Sequence, residues 1–363
     1  MAITPRPGIL DIAPYVGGES KIAGVDRVLK LSSNEGALGP SPRAVEAYRA
    51  VASQMHRYPD GHATQLRQAL SKHFGLDPAK IICGAGSDEL LQLLVKAYAG
   101  PGDEVLYSRH GFIIYPISAK AAGATPVEAE DVDLTTSVDH LLAAVTPKTR
   151  IVFVTNPNNP TGTYIAHSEM QRLRAGLPDD VLLVIDSAYA EFVGRNDYDA
   201  GAGMVEEHDN VVMTRTFSKI FGMGGMRLGW AYCPPAIADV LNRVRGPFNV
   251  SSAALAAGQA AVEDTEFLAL ARSHNDYWLA WLTGELTRLG LEVVPSVANF
   301  VLVRFPQEKG RDAASADAFL RSRGIIVRGM KSYELPDCLR ITIGQGDEMT
   351  AVIAALRDFL GAS

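Results

Sequence analysis

Lys219 lies in the stretch Thr214–Trp230, TRTFSKIFGMGGMRLGW, between Ser218 and an apolar pair and ahead of a glycine-rich turn that leads to Arg227. In a surface loop such a lysine is a solvated cation and nothing more. Held out of water or beside another cation, its pKa falls, and the neutral amine can condense with a carbonyl group to form a Schiff base. Thr216 and Ser218 offer hydroxyls and Arg227 a planar two-pronged donor, groups that would anchor a phosphate on the same carbonyl compound. Pyridoxal phosphate combines those two features. Gly222, Gly224 and Gly225 superficially match a dinucleotide-binding loop, but Arg227 stands at that motif's third glycine and no strand, turn and helix frame it, so a nicotinamide site is excluded.

Other residues have types suited to the same chemistry. Asp186 closes the apolar run Val181 to Ile185. An unpaired buried carboxylate is costly, so Asp186 is either a helix N-cap or the partner of a functional group. Pyridoxal chemistry requires one, because a carboxylate against the pyridine nitrogen keeps it protonated and the ring able to accept electrons. Tyr189 and Asn159 are candidates for hydrogen bonds to the ring oxygen, although a tyrosine near a strand end also reads as half-buried packing. Asn159 sits in NPNNPTG, residues 156–162, a proline-rich turn that presents amides rigidly. Ser87 and Asp88 follow a short strand and a glycine turn and open an amphipathic helix. That geometry binds phosphate at the positive helix end, and it equally describes a helix capped by Ser87. Arg328 and Arg340 each end or interrupt a short apolar strand. Facing one cleft they would clamp a carboxylate or phosphate, and apart they are surface arginines.

The elements that must position these residues alternate. Strand-like runs at 104–107, 125–128, 150–155, 181–186 and 210–213, with helical patterns between most of them, predict buried strands of a doubly wound, largely parallel sheet. Ligands of such sheets lie at the carboxyl ends of the strands, where Asn159, Asp186 and Lys219 fall. A smaller α+β unit follows. The expected organisation is an arm at 1–40 joining the small domain, a large domain at 41–245 and the small domain at 246–363. A net charge of −7 argues against general affinity for nucleic acid or anionic membrane, so any anion site is local. Three cysteines, far apart and in apolar runs, fit reduced core residues of a cytoplasmic protein, and the scattered histidines form no recognisable metal site. No signal-peptide core or membrane-spanning run is apparent.

NPNNPTG, DSAY and SKIFGMGGMRLG, in this order, resemble the fold-type I pyridoxal-phosphate aminotransferases over nearly the whole chain. The resemblance implies that Lys219 bonds the cofactor, Asp186 meets its ring nitrogen, and Asn159 and Tyr189 meet its ring oxygen. Ser87, Asp88, Thr216, Ser218 and Arg227 would hold its phosphate, and Phe112 would stack on the ring. Toward the ends, LSSNEGALGPSP, RYPDG and GIIVRGMKSYELPDCLRITIG resemble the histidinol-phosphate branch, which exchanges an amino group between histidinol phosphate and 2-oxoglutarate in histidine synthesis. That branch implies a homodimer in which Tyr58 reaches the neighbouring subunit's cofactor phosphate, and Tyr15, Asn34, Asn159, Arg328 and Arg340 meet substrate. Gly36-Ala37 replaces an asparagine–proline pair of the branch and Gly329 a proline, both in substrate-side loops. Aromatic aminotransferases and phosphothreonine-type decarboxylases are the alternatives on the same fold, whereas a regulator fused to a DNA-binding domain has no room before Ser32.

Overall fold

The computed structural model describes residues 3–15, 17–24 and 27–361; residues 1, 2, 362 and 363, the outermost of the expected arm and small domain, lie outside them. The chain opens with β1 (Leu29–Lys30), α1 (Pro42–Val51), α2 (Thr64–Phe74), β2 (Ile81–Gly84) and α3 (Ser87–Tyr98). It continues with β3 (Glu104–Ser108), α4 (Ile114–Ala122), β4 (Thr125–Ala129), α5 (Val138–Ala144), β5 (Thr149–Thr155), α6 (His167–Gly176), β6 (Leu182–Asp186), α7 (Ala202–Glu207), β7 (Val211–Thr216) and β8 (Gly229–Tyr232). Next come α8 (Pro235–Val244), α9 (Ser252–Glu263), α10 (Thr265–Arg288), β9 (Glu292–Val294), β10 (Phe300–Arg304), α11 (Ala313–Ser322), β11 (Ile325–Ile326), β12 (Arg328–Met330), β13 (Leu335–Thr342) and α12 (Gly346–Leu360).

The α/β class and the largely parallel, doubly wound sheet expected from the sequence are observed. Seven strands run in the order β2-β8-β7-β6-β5-β3-β4. From β4 to β7 neighbours are parallel, and β8 is antiparallel to both β7 and β2. Ile151 and Phe153 turn to one face and Val152 and Val154 to the other, because successive strand side chains alternate. Helices cover both faces, so both are apolar. The strand order reverses between β3 and β5, and a crevice forms at their carboxyl ends.

The structure corrects several sequence expectations. β4 is an edge strand paired only with β3, and of its residues only Ala129 is buried, because TPVEA has one side open to solvent. β8 was not anticipated: Gly-Trp-Ala-Tyr is too short to show a period, yet all four residues are buried between two strands. Ser87 is not the helix cap. Gly86 holds that position at φ 87° and ψ 160°, a conformation essentially confined to glycine, and a Cβ there would lie 2.5 Å from Arg227 Nη2. Ser87 is thereby the first helical residue, and its side chain is free to face the crevice. A boundary at residue 246 would give α9 to the small domain, but Ala254, Ala257, Ala261 and Val262 pack in the larger core, so we propose that the smaller unit begins in α10.

That smaller unit is an antiparallel sheet, β12-β13-β10-β9, with α10, α11 and α12 around a core that includes Leu282, Val301, Ile341 and Val352. β11 pairs in parallel with β1 (Leu29 with Ile325, Lys30 with Ile326), which joins the residues before the larger domain to the smaller unit. Among the described residues no helix is long and apolar enough to cross a membrane.

Phe153 is 1% exposed and stacks on Tyr115 at 4.4 Å between ring centroids. Phe153→Ala is expected to cost about 3–5 kcal/mol of stability, seen in urea melts as a lower midpoint at unchanged slope.

Candidate active site

A cavity of about 260 Å³ opens at the carboxyl ends of β5, β6 and β7 and is closed from the other side by residues 32–35 and by β12 and β13. Asp186, the last residue of β6, is 2% exposed. Its Oδ2 accepts from Tyr115 Oη at 3.0 Å and its Oδ1 from Thr214 Oγ1 at 3.4 Å. These donors are neutral, and burial pushes the carboxyl pKa up to about 6. A cationic N–H set against this group would meet a demand that the hydroxyls leave open.

Lys219 follows β7. Its Nζ donates to Ser33 O at 3.5 Å and lies 5.6 Å from the centre of the Tyr189 ring. Desolvation, reinforced by the Arg340 guanidinium, holds the amine pKa down to about 8, so a neutral nucleophile is available in mildly alkaline solution. Tyr189 is 2% exposed, accepts from Asn34 Nδ2 at 2.9 Å, and is pushed up to about 12 by burial. Its hydroxyl therefore stays protonated as a donor.

An anion cradle forms at the start of α3. Thr216 Oγ1 donates to Ser218 Oγ at 3.0 Å, Arg227 Nη1 to the same Ser218 oxygen at 3.3 Å, and Arg227 Nη2 to Asp88 Oδ2 at 3.1 Å. Asp88 thus aims the guanidinium, while Ser87, Thr216 and Ser218 line the same cavity beside the start of α3. At the far side Arg340, 6% exposed on β13, donates to Asn159 Oδ1 and, at 3.1 Å, to Ser32 O, while its Nε has no partner among the described residues. It is a buried cation served by neutral acceptors. An amine nucleophile, a carboxylate suited to a protonated ring nitrogen, and a cradle for phosphate fit an aromatic aldehyde carrying a phosphate and a basic ring nitrogen.

Residues 26–356 match the family model for aminotransferase class I and II. The chain belongs to that aminotransferase family. It is 67% identical to the histidinol-phosphate aminotransferase of Paramagnetospirillum magneticum, covering 99% of each chain, and 64% identical to that of Rhodospirillum centenum, covering 98% of each. Its structure resembles that of the histidinol-phosphate aminotransferase from Sinorhizobium meliloti in complex with pyridoxal-5'-phosphate, with a TM-score of 0.90 at 29% identity and 99% of both chains covered.

In this aminotransferase all but one of the residues singled out in the sequence line the same cavity, Tyr15, Phe112 and Arg328 among them. Tyr58 does not. It is 82% exposed, and its ring stacks on Phe248 at 4.7 Å, a partner that its polar turn did not suggest. Two side chains that line the cavity, Tyr333 and Thr155, and one behind it, Tyr115, which bonds Thr155 and Asp186, escaped sequence reasoning. Tyr115 lies in FIIYPI, which reads as core; Tyr333 stood unremarked in the carboxyl-terminal segment; and Thr155 looked like the end of a strand. Only the adjacency of β3, β5 and β6 brings Tyr115 to Asp186.

The raised Asp186 pKa has a stability consequence. The folded ligand-free protein binds this proton more tightly than the unfolded chain, so its contribution is present below pH 4 and is lost as pH rises through about 6. Asp186→Asn is expected to stabilise the ligand-free protein at pH 7 by up to about 3 kcal/mol, with the gain gone below pH 4. Denaturant melts at the two pH values check this.

Proposed function

We propose that this aminotransferase uses pyridoxal phosphate to exchange an amino group between histidinol phosphate and 2-oxoglutarate, yielding imidazole acetol phosphate and glutamate, in histidine biosynthesis. The carrying observation is that a buried carboxylate with only neutral donors, an amine of depressed pKa and an arginine-bearing anion cradle share one cavity. High identity to histidinol-phosphate aminotransferases over the whole chain supports the choice of substrate. When bound, pyridoxal phosphate supplies the electron sink that lets the substrate carbon bearing the amino group give up its proton.

The chain's own residues do the rest. Ser87, Thr216, Ser218 and Arg227 would hold the cofactor phosphate, with Asp88 acting through Arg227. The Asp186 carboxylate would hold a proton on the ring nitrogen, Tyr189 and Asn159 would hydrogen-bond the ring oxygen, and Phe112 would cover the ring face. Lys219 Nζ would anchor the cofactor and, once released, move the proton of the substrate carbon, a task suited to a base titrating near neutrality. Arg340 and Arg328, with Asn34 and Tyr15, would receive the substrate. Histidinol phosphate carries a phosphate and no carboxylate, while glutamate carries two carboxylates; guanidinium groups match both anions. Three buried free cysteines support a cytoplasmic setting.

We also assign the working unit as a homodimer with shared sites. Tyr58, Met55, Tyr48 and Phe248 form an exposed apolar face beside one cleft, unsuited to an isolated subunit in water. Tyr58 would reach the cofactor phosphate of the partner from this face.

Glutamate formation from 2-oxoglutarate, with histidinol phosphate or phenylalanine as donor, tests the function. Histidinol phosphate is expected to give the higher kcat/KM, and Arg340→Ala to lower it by about 2–5 kcal/mol in activation free energy. Preference for phenylalanine would move the assignment to an aromatic aminotransferase. Sharing of sites is tested by mixing inactive Tyr58→Ala and inactive Lys219→Ala subunits, since a hybrid dimer contains one intact site and should regain activity. No regain under demonstrated subunit exchange refutes the shared site.

A further inference from the structure

Residues 33–36 grip Lys219 at both ends. Ser33 O accepts from its Nζ at 3.5 Å. At the other end Gly36 lies against the lysine's own peptide: a Cβ on Gly36 would sit 2.7 Å from Lys219 O and 3.0 Å from Gly222 Cα. Both are backbone atoms and cannot swing aside, so in this backbone a Cβ at 36 requires either this segment or the lysine's to shift. Between the two contacts Asn34 turns the chain at φ 55°; its N–H donates to Thr342 Oγ1 at 2.9 Å and its Nδ2 to Tyr189 Oη at 2.9 Å.

The segment is held from the smaller unit by a residue outside the proposed machinery. Asn299, 2% exposed, donates from Nδ2 to Asn34 O at 3.1 Å and to Glu35 O at 3.2 Å, and its own carbonyl accepts from Ile343 N at 2.8 Å. Its Oδ1 has no partner among the described residues, so the amide gives up half its bonding capacity to serve two inward-facing carbonyls. Without that donor both carbonyls need water, and the segment turns outward.

We infer that Gly36 and Asn299 are positioning residues, which set the place and hydration of the Lys219 amine through the 33–36 segment; this rests on Lys219 being the reactive amine. The charged and titratable groups acting on that amine include Arg340 from β13, Asp88 from α3, and Tyr15 and Glu35 from the residues before α1, and the Tyr189 ring lies 5.6 Å from it. Loosening the segment leaves Arg340 bonded to Asn159 and Asp88 bonded to Arg227 and admits water, so the amine should move toward an ordinary lysine.

The test uses the whole chain, freed of bound small molecules. Its reaction with acetic anhydride is followed across pH, with acylation of Lys219 read by peptide mass mapping. Asn299→Ser and Gly36→Ala are expected to raise the Lys219 midpoint by roughly one unit. Gly203→Ala, whose added methyl meets open space, should leave it unchanged. Thermal melts identify folded variants, and Asn299→Ser, which introduces a smaller side chain, decides the matter if Gly36→Ala does not fold. A wild-type midpoint in folded Asn299→Ser overturns the inference. Uptake of pyridoxal phosphate by the wild-type protein, read by absorbance, is scored separately, so a failure there counts against the proposed function and not against the grip on Lys219.

Discussion

Asp186 and Arg340 are buried in one cavity and are not hydrogen-bonded to each other. Removing either charge from water without a counterion costs several kcal/mol, and the fold offsets this only in part. Asp186 receives hydroxyls from Tyr115 and Thr214, and Arg340 reaches the neutral oxygens of Asn159 and Ser32. The remaining electrostatic demand is what a ligand with a cationic nitrogen and anionic groups satisfies. A direct ion pair between the two would be cheaper for the empty protein and would leave less for a ligand.

Keeping these charges apart requires two scaffolds. The larger sheet carries Asn159, Asp186 and Lys219 at or just beyond strand ends, and the smaller sheet carries Arg328, Arg340 and Thr342. Residues 32–35 lie between them, joined to Thr342 on one side and to Tyr189 and Lys219 on the other. The charged groups are thus divided by layer, with the Lys219 amine and the Asp186 carboxylate on one and the buried Arg340 guanidinium on the other.

Much of this was legible in the sequence because strand ends are visible there. A polar residue that terminates a run of Val, Ile and Leu is placed by the run itself, which located Asp186, while the turn NPNNPTG and the stretch around Lys219 located the other two just beyond their strands. Features that depend on which strands become neighbours were not legible. Tyr115 reads as core until β3 is set beside β5, and β4 reads as interior until it is found at the edge. The Ser33 carbonyl at Lys219 has no signature at all, because every residue has such an oxygen. Gly86 and Ser87 show a different limit: a backbone conformation outside the range of L side chains assigned the cap to the glycine, although serine is the usual cap residue.

The pairing of β1 with β11 sets an order of assembly. All strands of the larger sheet lie between residues 81 and 232, so that sheet has all its partners as soon as this part of the chain is available. β1 must wait for residues 325–326, and Arg340 comes later still. During synthesis on a ribosome Asp186 and Lys219 are therefore made before the strands that close over them, because contacts distant in sequence form only when both ends exist. In a nascent chain Lys219 precedes every strand that walls the cavity from the smaller unit, so until those strands are made the cavity lacks that wall.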